Sequence, residues 1–206
     1  MESKICLIRH GITEGNQLQV FYGGVDIPLA EEGMEQLRQQ VEDDIYPRYE
    51  NAEYYTSGML RTEQTFEIIF GDQEHSVINN LREMNFGDYE MRHYRDLKDD
   101  EVFKVWYHDL TGQTVPPNGE SISQFKTRVK EGFEELKVNH LQQVIRLRNQ
   151  EKMAASVVVC HAGPICTILE SVWPGKHKNM FSWAPDPGHG YVLTLKDGTV
   201  TGYEKF

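Results

Sequence analysis

Two segments of the sequence share one form, a short apolar run that ends in a histidine followed by small residues. The first is Ile5-Cys6-Leu7-Ile8-Arg9-His10-Gly11, and the second is Val157-Val158-Val159-Cys160-His161-Ala162-Gly163. Imidazole is a nucleophile that titrates near neutral pH, and small residues after it let backbone N–H groups approach an anion. A single histidine at a strand end is more often structural. Two of them, with Arg9 beside the first, indicate a site that handles an anion.

Short apolar runs alternate with longer helical patterns, and these elements would position the two histidines. Strand patterns cover residues 4–9, 52–57, 76–78 and 156–160, and helical spacing covers residues 29–46, 58–70, 99–110 and the segment from 163 onward. Ser121 and Gln124 have the spacing of a capping box, which predicts a helix towards Leu147. The Asp-Gly pair in Lys196-Asp197-Gly198-Thr199 predicts a C-terminal hairpin. The alternation predicts an α/β fold, a three-layer α/β/α sandwich whose central sheet is mostly parallel.

The length of the chain and the segment from about 81 to 119 bear on domain organisation. A chain of 206 residues predicts a single domain over 1–206. Residues 83–94 have no clean period, and the stretch from about 81 to 119 ends in Pro116-Pro117-Asn118-Gly119, so we expect a small cap-like insertion there. Its aromatic residues either line a substrate cavity or pack within the cap; they are Phe86, Tyr89, Trp106 and Tyr107.

The charge balance excludes several classes of partner. Lys and Arg number 21 against 32 Asp and Glu, a formal net charge of −11. Nucleic acids and anionic membrane surfaces favour the opposite balance, so neither is an expected partner. No apolar run approaches the roughly 18 residues of a membrane span, and the N-terminal run is too short for a secretory signal. The three cysteines lack the paired spacing of a zinc site, which favours buried thiols in a cytoplasmic protein.

Six segments, two of which contain the strand-end histidines, carry a resemblance to a known family. They are Arg9-His10-Gly11-Ile12-Thr13-Glu14-Gly15-Asn16, Tyr22-Gly23-Gly24-Val25-Asp26-Ile27-Pro28-Leu29 with Glu32-Gly33, Ser57-Gly58-Met59-Leu60-Arg61-Thr62-Glu63-Gln64-Thr65, Leu81-Arg82-Glu83-Met84-Asn85-Phe86-Gly87-Asp88-Tyr89-Glu90, Gly119-Glu120-Ser121 and Cys160-His161-Ala162-Gly163. In this order and at compatible spacings, they resemble the motifs of the histidine phosphatase superfamily, which includes the phosphoglycerate mutases. The resemblance covers most of the chain.

The resemblance implies a role for each central residue. His10 would attack phosphorus and become a phosphohistidine, which splits a hard hydrolysis into two easier steps. Arg9 and Arg61 would grip the phosphate oxygens, because a guanidinium binds them bidentately and stays charged. His161 is expected to be a protonated donor across the phosphate. Glu83 would protonate the leaving oxygen and then activate water.

A second set of residues matches positions that bind substrate in this family. Asn16 matches a phosphate contact, and the backbone N–H of Ala162 would add to the phosphate site. Tyr22 and Gly23 match positions that line the substrate side. Thr13 either contacts the phosphate or caps the turn.

Several residues depart from the family pattern. Ile12 stands where many members have Glu, and Gly15 replaces a common Trp. Val20 replaces an arginine that mutases use near the substrate, which weakens the case for a mutase. Ala162 and Pro164 stand where Gly and other residues are common, and they would narrow the phosphate loop.

The remaining histidines and cations have simpler interpretations. His75, His93, His108, His140 and His177 show no metal-ligand spacing, so no metal site and no cofactor are expected. We expect His189 in a solvent-facing loop, and the alternative is that it faces the pocket. The basic run Lys126, Arg128 and Lys130 is typical of a solvated helix face.

The predicted function is a metal-independent phosphomonoesterase that works through a phosphohistidine on a small phosphorylated metabolite. The motifs look nearest to the small bacterial branch of the superfamily that includes proteins resembling α-ribazole phosphatase. A mutase differs in what accepts the phosphoryl group, and a non-catalytic module that binds a phosphate ligand is a further alternative. The sequence leaves monomer and homodimer open.

Overall fold

Six strands form the central sheet of the computed structural model, which describes residues 2–206. The strands in chain order are β1 (Glu2–Arg9), β2 (Val20–Phe21), β3 (Ala52–Thr56), β4 (His75–Val77), β5 (Arg92–His93), β6 (Ala155–Cys160), β7 (Gly190–Lys196) and β8 (Thr199–Lys205). The sheet order is β4-β3-β6-β1-β7-β8, and β2 pairs separately with β5. The first four strands in this order are parallel, and β7 and β8 are antiparallel to their neighbours. The predicted mostly parallel sheet and C-terminal hairpin are confirmed.

Seven α-helices connect these strands within residues 2–206. They are α1 (Glu14–Leu18), α2 (Glu31–Glu42), α3 (Leu60–Phe70), α4 (Tyr94–Leu97), α5 (Glu101–Tyr107), α6 (Ile122–Leu147) and α7 (Ala162–Val172). The predicted capping box begins α6, since the Ser121 side chain accepts from the Gln124 N–H and the Gln124 side chain accepts from the Ser121 N–H. Among the described residues, no helix has the length and apolarity needed to cross a membrane.

Apolar side chains alternate between the two faces of the sheet, which produces two cores. Ile5 and Leu7 belong to one core with residues of α6 and α7, whereas Cys6 and Ile8 belong to the other with residues of α2 and α3. Successive side chains of a strand point to opposite faces, so a fully apolar strand requires cover on both sides. The three-layer α/β/α fold is confirmed.

The register of the parallel strands determines where the site can form. In the β1–β6 pairing Arg9 lies beside Cys160, and in the β3–β6 pairing Thr56 lies beside Val159. The next residue of each strand, which is His10, His161 or Ser57, therefore emerges at the same edge of the sheet. This is where ligands bind in open α/β sheets.

The structure differs from the sequence prediction in local detail. Helix α2 ends at Glu42 rather than at residue 46, because Asp44 adopts a left-handed conformation with φ of 53°. Helix α1 was not predicted, since five residues are too few to show periodicity. Helix α6 continues past Asn139 to Leu147 as one helix.

Residues 81–119 pack through an aromatic cluster. Phe103 and Trp106 of α5 contact Phe21, Phe86 and Tyr89 in edge or tilted geometry, with ring centroids 5.1 to 6.0 Å apart. Of the two interpretations of these aromatic residues, packing within the segment is the one observed. That the segment acts as a cap, within a single domain, stays a prediction.

The three cysteines are free thiols in the two cores. Cys6, Cys160 and Cys166 are all buried, as predicted. Burial raises the pKa of the Cys160 and Cys166 thiols to about 12. They are therefore neutral packing residues at physiological pH.

Candidate active site

His10 and His161 meet at the carboxyl ends of β1 and β6. Their ring centroids are 5.1 Å apart and the ring planes are inclined by 65°. The backbone supports this approach, because the His10 N–H donates to the Cys160 carbonyl at 3.0 Å. His10 is 3% exposed and His161 is fully buried. The structure therefore brings together the two histidines that the sequence singled out.

His10 presents one ring nitrogen as a free base. Its Nδ1 lies 2.7 Å from the carbonyl oxygen of Gly11, which can only accept, so Nδ1 carries the proton and Nε2 keeps its lone pair. Burial, followed by the charges of Arg61 and Arg9, lowers the pKa of His10 well below 6.5. A neutral imidazole with Nε2 available is the form required of a nucleophile.

Both ring nitrogens of His161 are engaged by neighbours. Arg61 Nε donates to Nδ1 at 3.3 Å, which leaves Nε2 to donate to the Ser57 hydroxyl at 2.8 Å. Burial, followed by the charge of Arg61 and by His10, lowers the pKa of His161 well below 6.5. The expectation that His161 is a protonated donor concerns the site with a phosphate in it and stays a prediction. A buried ring beside guanidinium groups stays neutral until an anion compensates them.

The two arginines of the site are held by main-chain carbonyls. Arg61, fully buried at the start of α3, donates from Nη1 to the Val25 oxygen at 3.0 Å and from Nη2 to the Gly23 oxygen at 2.8 Å. Arg9 donates from Nη1 to the Pro185 oxygen at 2.8 Å, while its buried Nε has no partner among residues 2–206. An unpaired buried donor is costly, so Arg9 retains a hydrogen bond to offer to an anion.

Glu83 reaches the same edge from the loop of residues 81–90, here called the acid loop. Its Oε2 accepts from the Gly163 N–H at 3.0 Å, and its Oε1 accepts from the Met84 N–H at 3.0 Å. A Cβ at position 163 would lie 2.2 Å from Oε1. Glycine at this point in the first turn of α7 is therefore what allows the carboxylate to approach.

Arg128 of α6 fixes the backbone of the acid loop. Its Nη1 donates to the carbonyls of Asn80 and Arg82 at 3.1 and 2.8 Å, and its Nη2 donates to the Glu83 carbonyl at 2.9 Å. Glu120 accepts the remaining Nε and Nη2 donors. The prediction that residues 126–130 are only a solvated face is wrong for Arg128, because burial against a loop from elsewhere in the chain is not visible in helical spacing.

Glu90 connects the acid loop to the segment that contacts Arg61. Its two oxygens accept from the N–H groups of Gly23 and Gly24 at 2.9 and 2.8 Å and from the Phe86 N–H at 2.8 Å. Arg61 donates to the Gly23 and Val25 carbonyls of the same segment. Both the N–H and the carbonyl of Gly23 therefore have hydrogen-bond partners. Sequence reasoning assigned Glu90 no role, and its place at the end of the acid-loop motif was the available signal.

The remaining predicted residues lie around this centre. Thr13 caps α1, since its hydroxyl accepts from the Asn16 N–H and Asn16 Oδ1 accepts from the Thr13 N–H at 3.0 Å. The capping alternative for Thr13 is thus the one observed. The Tyr22 ring lies 5.4 Å from the Arg61 guanidinium, and Ala162 is the first residue of α7. Gly23 allows close approach, because a Cβ there would lie 1.9 Å from the Met84 oxygen.

Three comparisons with known proteins agree with this geometry. Residues 5–202 match the profile of the histidine phosphatase superfamily (branch 1). The chain belongs to the histidine phosphatase superfamily. An adenosylcobalamin/alpha-ribazole phosphatase from Escherichia coli (strain K12) is 30% identical over 155 residues, which cover 71% of this chain and 73% of that protein. The predicted class of enzyme, a phosphomonoesterase of this superfamily, is confirmed by the profile and by the phosphatases among such relatives.

Further relatives show the breadth of the superfamily. A 2,3-bisphosphoglycerate-dependent phosphoglycerate mutase from Rhizobium etli is 29% identical over 137 residues, 62% of this chain and 64% of that protein. The crystal structure of an alpha-ribazole phosphatase from Shigella flexneri matches with a TM-score of 0.76 at 25% identity, covering 96% of this chain and 94% of that one. The resemblance of fold therefore extends over nearly the whole chain.

Two departures from the superfamily pattern have a structural explanation. A Cβ at Gly15 would lie 2.5 Å from the Tyr22 ring, so the ring of Tyr22 takes the space beside α1. Pro164 is the third residue of α7, where its missing N–H breaks no helical hydrogen bond.

His189 has a different position from either predicted one. Its Nε2 accepts from the Gln40 amide at 3.0 Å, and its backbone oxygen accepts from the Arg9 N–H at 3.0 Å. It therefore packs between α2 and the end of β1, where it supports the site from behind.

An open cleft of about 370 Å³ lies beside Glu83. The residues that line it include Asn79, Arg82, Glu83, Asn85, Glu120 and Arg128. Of the central site residues, Glu83 lines this cleft, whereas His10 and His161 are buried at the sheet edge and do not line it.

Proposed function

We propose that this member of the superfamily hydrolyses a small phosphorylated metabolite through a phosphohistidine on His10, without a metal or another cofactor. The observation that carries the proposal is the state of the His10 ring, whose Nδ1 proton is held by the Gly11 carbonyl at 2.7 Å while Nε2 is left unprotonated. A second histidine 5.1 Å away and two arginines supply the charge that a phosphate requires.

In the first step, His10 Nε2 attacks phosphorus and the bond from phosphorus to the leaving oxygen breaks. The lone pair of Nε2 forms the new P–N bond, and the electrons of the broken bond stay on the leaving oxygen. Glu83, in its protonated form, gives that oxygen a proton, so the product leaves as an alcohol. The Gly11 carbonyl stabilises the charge that develops on the ring through Nδ1–H.

In the second step, water attacks the phosphohistidine. Glu83, now a carboxylate, takes a proton from the water as the P–N bond breaks, and His10 recovers its lone pair. Inorganic phosphate is released and Glu83 is again protonated, so each cycle balances.

Charge stabilisation at the site is the task of Arg9, Arg61 and His161. A bound phosphate brings negative charge next to His161, which offsets the guanidinium groups that lower its pKa and allows it to bind a proton. The N–H of Ala162 in the first turn of α7 and the amide of Asn16 add hydrogen bonds to the phosphate. Tyr22 and Gly23 line the substrate side. Local cations thus overcome the net charge of −11 at one point of the molecule.

Phosphoryl transfer of the mutase type is the second candidate, favoured by relatives such as the Rhizobium protein named a phosphoglycerate mutase. Val20 argues against it, because it stands in β2 where mutases carry an arginine near the substrate. A phosphate-binding module without turnover is a third possibility, and the free Nε2 of His10 argues against it.

The cellular compartment and the class of partner are inferred from the cysteines and the net charge. Three unpaired, buried thiols fit a reducing cytoplasm, and the acidic surface disfavours nucleic acids and membranes as partners. The expected partner is the small substrate, with the chain acting as a monomer or a homodimer.

The test is to trap the intermediate. The purified protein is incubated with phenyl phosphate in the presence of a chelator, phosphate release is followed, and protein denatured at alkaline pH is analysed by mass spectrometry for a phosphate on His10. The proposal expects release together with an acid-labile phosphohistidine that is absent from His10→Ala. Dependence on added metal, or turnover without any phosphohistidine, would contradict it. Isomerisation of a phosphoglycerate faster than release of its phosphate would favour the mutase.

A further inference from the structure

The cleft beside Glu83 lies on the side of the site where the leaving group must go. Glu83 lines this cleft, and in the proposed function its carboxyl protonates the leaving oxygen. The two histidines that flank the phosphate are buried, so a substrate cannot extend past them into the core. The part of the substrate that departs as an alcohol therefore occupies the cleft.

Two arginines line this cleft, and in one of them every N–H donor already has an acceptor. Arg128 uses all five of its N–H donors. Three donate to the carbonyls of Asn80, Arg82 and Glu83, and two donate to the Glu120 carboxylate. The two oxygens of Glu120 are likewise taken, by Arg128 and by the Asn85 N–H. This pair is internally neutral, so it offers no net charge to a ligand.

Arg82 is the other arginine, and its charge is unmatched. Its Nε donates to the Ser57 carbonyl at 3.2 Å, which fixes the side chain next to the sheet edge. Within residues 2–206, neither Nη1 nor Nη2 has an acceptor, and no carboxylate lies within 4 Å. Arg82 therefore offers an exposed guanidinium, held in the cleft, whose charge no carboxylate neutralises.

We propose that this cleft is a leaving-group subsite in which Arg82 binds a second anionic group of the substrate, a carboxylate or a second phosphate. The inference rests on the proposed function and adds the class of substrate to it. The two Nη groups form a planar fork that matches two oxygens of either anion, and hydrogen bonds between charged partners are the stronger ones. A neutral leaving group would leave the fork facing water.

Matched substrates test the subsite. We would compare glycerol 3-phosphate with 3-phosphoglycerate, which replaces a hydroxymethyl group by a carboxylate, and with propane-1,3-diol bisphosphate, which supplies a second phosphate instead. The quantity measured is the ratio of kcat/KM per phosphate group, for 3-phosphoglycerate and for the bisphosphate, to that for glycerol 3-phosphate. The wild-type ratio should exceed one for at least one of them, and this identifies the source of the anion.

Substitution of Arg82 should remove the preference. In Arg82→Gln we expect the ratio to fall by about 10- to 100-fold, the effect of losing a charge-assisted hydrogen bond, and in Arg82→Lys we expect partial recovery. Arg95→Gln, which removes an exposed arginine of α4 outside the cleft, should keep the wild-type ratio. An unchanged ratio in Arg82→Gln, or a wild-type ratio at or below one for both probes, overturns the subsite.

Failure of the subsite and failure of the proposed function give different results. Release of phosphate from all three substrates with no preference overturns only the subsite. If no phosphate is released, the proposed function fails, and the subsite is judged by the Kd values of glycerol 3-phosphate and 3-phosphoglycerate from calorimetry. Tighter binding of the carboxylate that is lost in Arg82→Gln supports the subsite, and equal binding overturns it.

Discussion

The histidine edge and the acid loop form two sides of one site, but they are held in different ways. His10 and His161 follow directly from paired strands, so the register of β1 and β6 and one backbone hydrogen bond bring them together. Glu83 follows only a single 3-10 turn, Asn79–Leu81. Its loop is held by Arg128, which comes from α6, 45 positions away, and by Glu90 at the loop's own end.

This difference suggests a division of labour. The histidine edge is buried and is held by hydrogen bonds at the ends of paired strands, which suits a nucleophile that must keep one tautomer. The acid loop is half-buried and lies against an open cleft, which suits a proton donor that must meet different leaving groups. The first three of the four predictions that follow test this contrast, beginning with the largest effect, and the fourth concerns the opposite end of the sheet.

Loss of the nucleophile should have the largest effect. His10→Ala should lower kcat by about 10⁴-fold or more, since removal of a nucleophile leaves only binding and charge stabilisation. The thermal midpoint should change little, because the backbone contacts of the β1 end remain. Steady-state kinetics with phenyl phosphate and a thermal melt measure both. Activity within tenfold of wild type would remove His10 from its proposed role.

Loss of the acid should depend on the leaving group. Glu83→Gln keeps one of the two acceptor oxygens and has no acidic proton to transfer, so kcat/KM should fall by about 10²- to 10³-fold for alkyl phosphates. For 4-nitrophenyl phosphate, whose leaving group departs without protonation, the loss should be much smaller. A plot of log kcat/KM against the pKa of the leaving alcohol checks this. An equal loss for every substrate would show that Glu83 does not act as the acid.

Removal of the support beneath the acid loop should resemble loss of the acid itself. Arg128→Met deletes five hydrogen bonds, so we expect kcat to fall by about 10- to 100-fold and the free energy of unfolding by about 2 kcal/mol. Lys130→Met, on the exposed face of the same helix, is the matched control. In the double variant with Glu83→Gln, the effect of Arg128→Met on kcat should largely vanish. Full additivity would mean that Arg128 acts on catalysis by another route.

The smallest effect concerns the opposite end of the sheet. His140 lies between the Ser3 and Ser156 hydroxyls at 2.8 and 2.9 Å, and burial lowers its pKa below 6.5. The unfolded chain therefore binds a proton that the native protein does not, so stability is lost as the pH falls below about 6.5. The free energy of unfolding, taken from urea titrations at several pH values, should vary with pH less steeply in His140→Asn, by up to about 1.4 kcal/mol per pH unit. The exposed His108→Asn variant should keep the wild-type slope.

Much of the histidine edge could be predicted because its information is local. An apolar strand that ends in His10 or His161 places its histidine by the direction of the strand alone, and parallel pairing then places both at one edge. The expected protonation of His161 across the phosphate depends on information that is not local, and it stays a prediction. Its pKa depends on burial and on Arg61, which lies 100 positions away.

The acid loop was predicted as a motif but not as a structure. Arg128 and Glu83 are 45 positions apart, and Glu90 and Gly24 are 66 positions apart. No periodicity reports such contacts, since each joins a charged side chain to main-chain groups of a segment without regular structure. The roles of Arg128 and Glu90 therefore became visible only from the hydrogen bonds.

The sequence by itself determined the α/β fold, the strand ends that carry His10 and His161 and the family motifs, because each depends on neighbouring residues and on the two-residue period of a strand. Only the tertiary structure decided the neutral state of His161, the support of Glu83 and the unmatched charge of Arg82. Those properties depend on which side chains meet across long separations and on how far water is excluded from them.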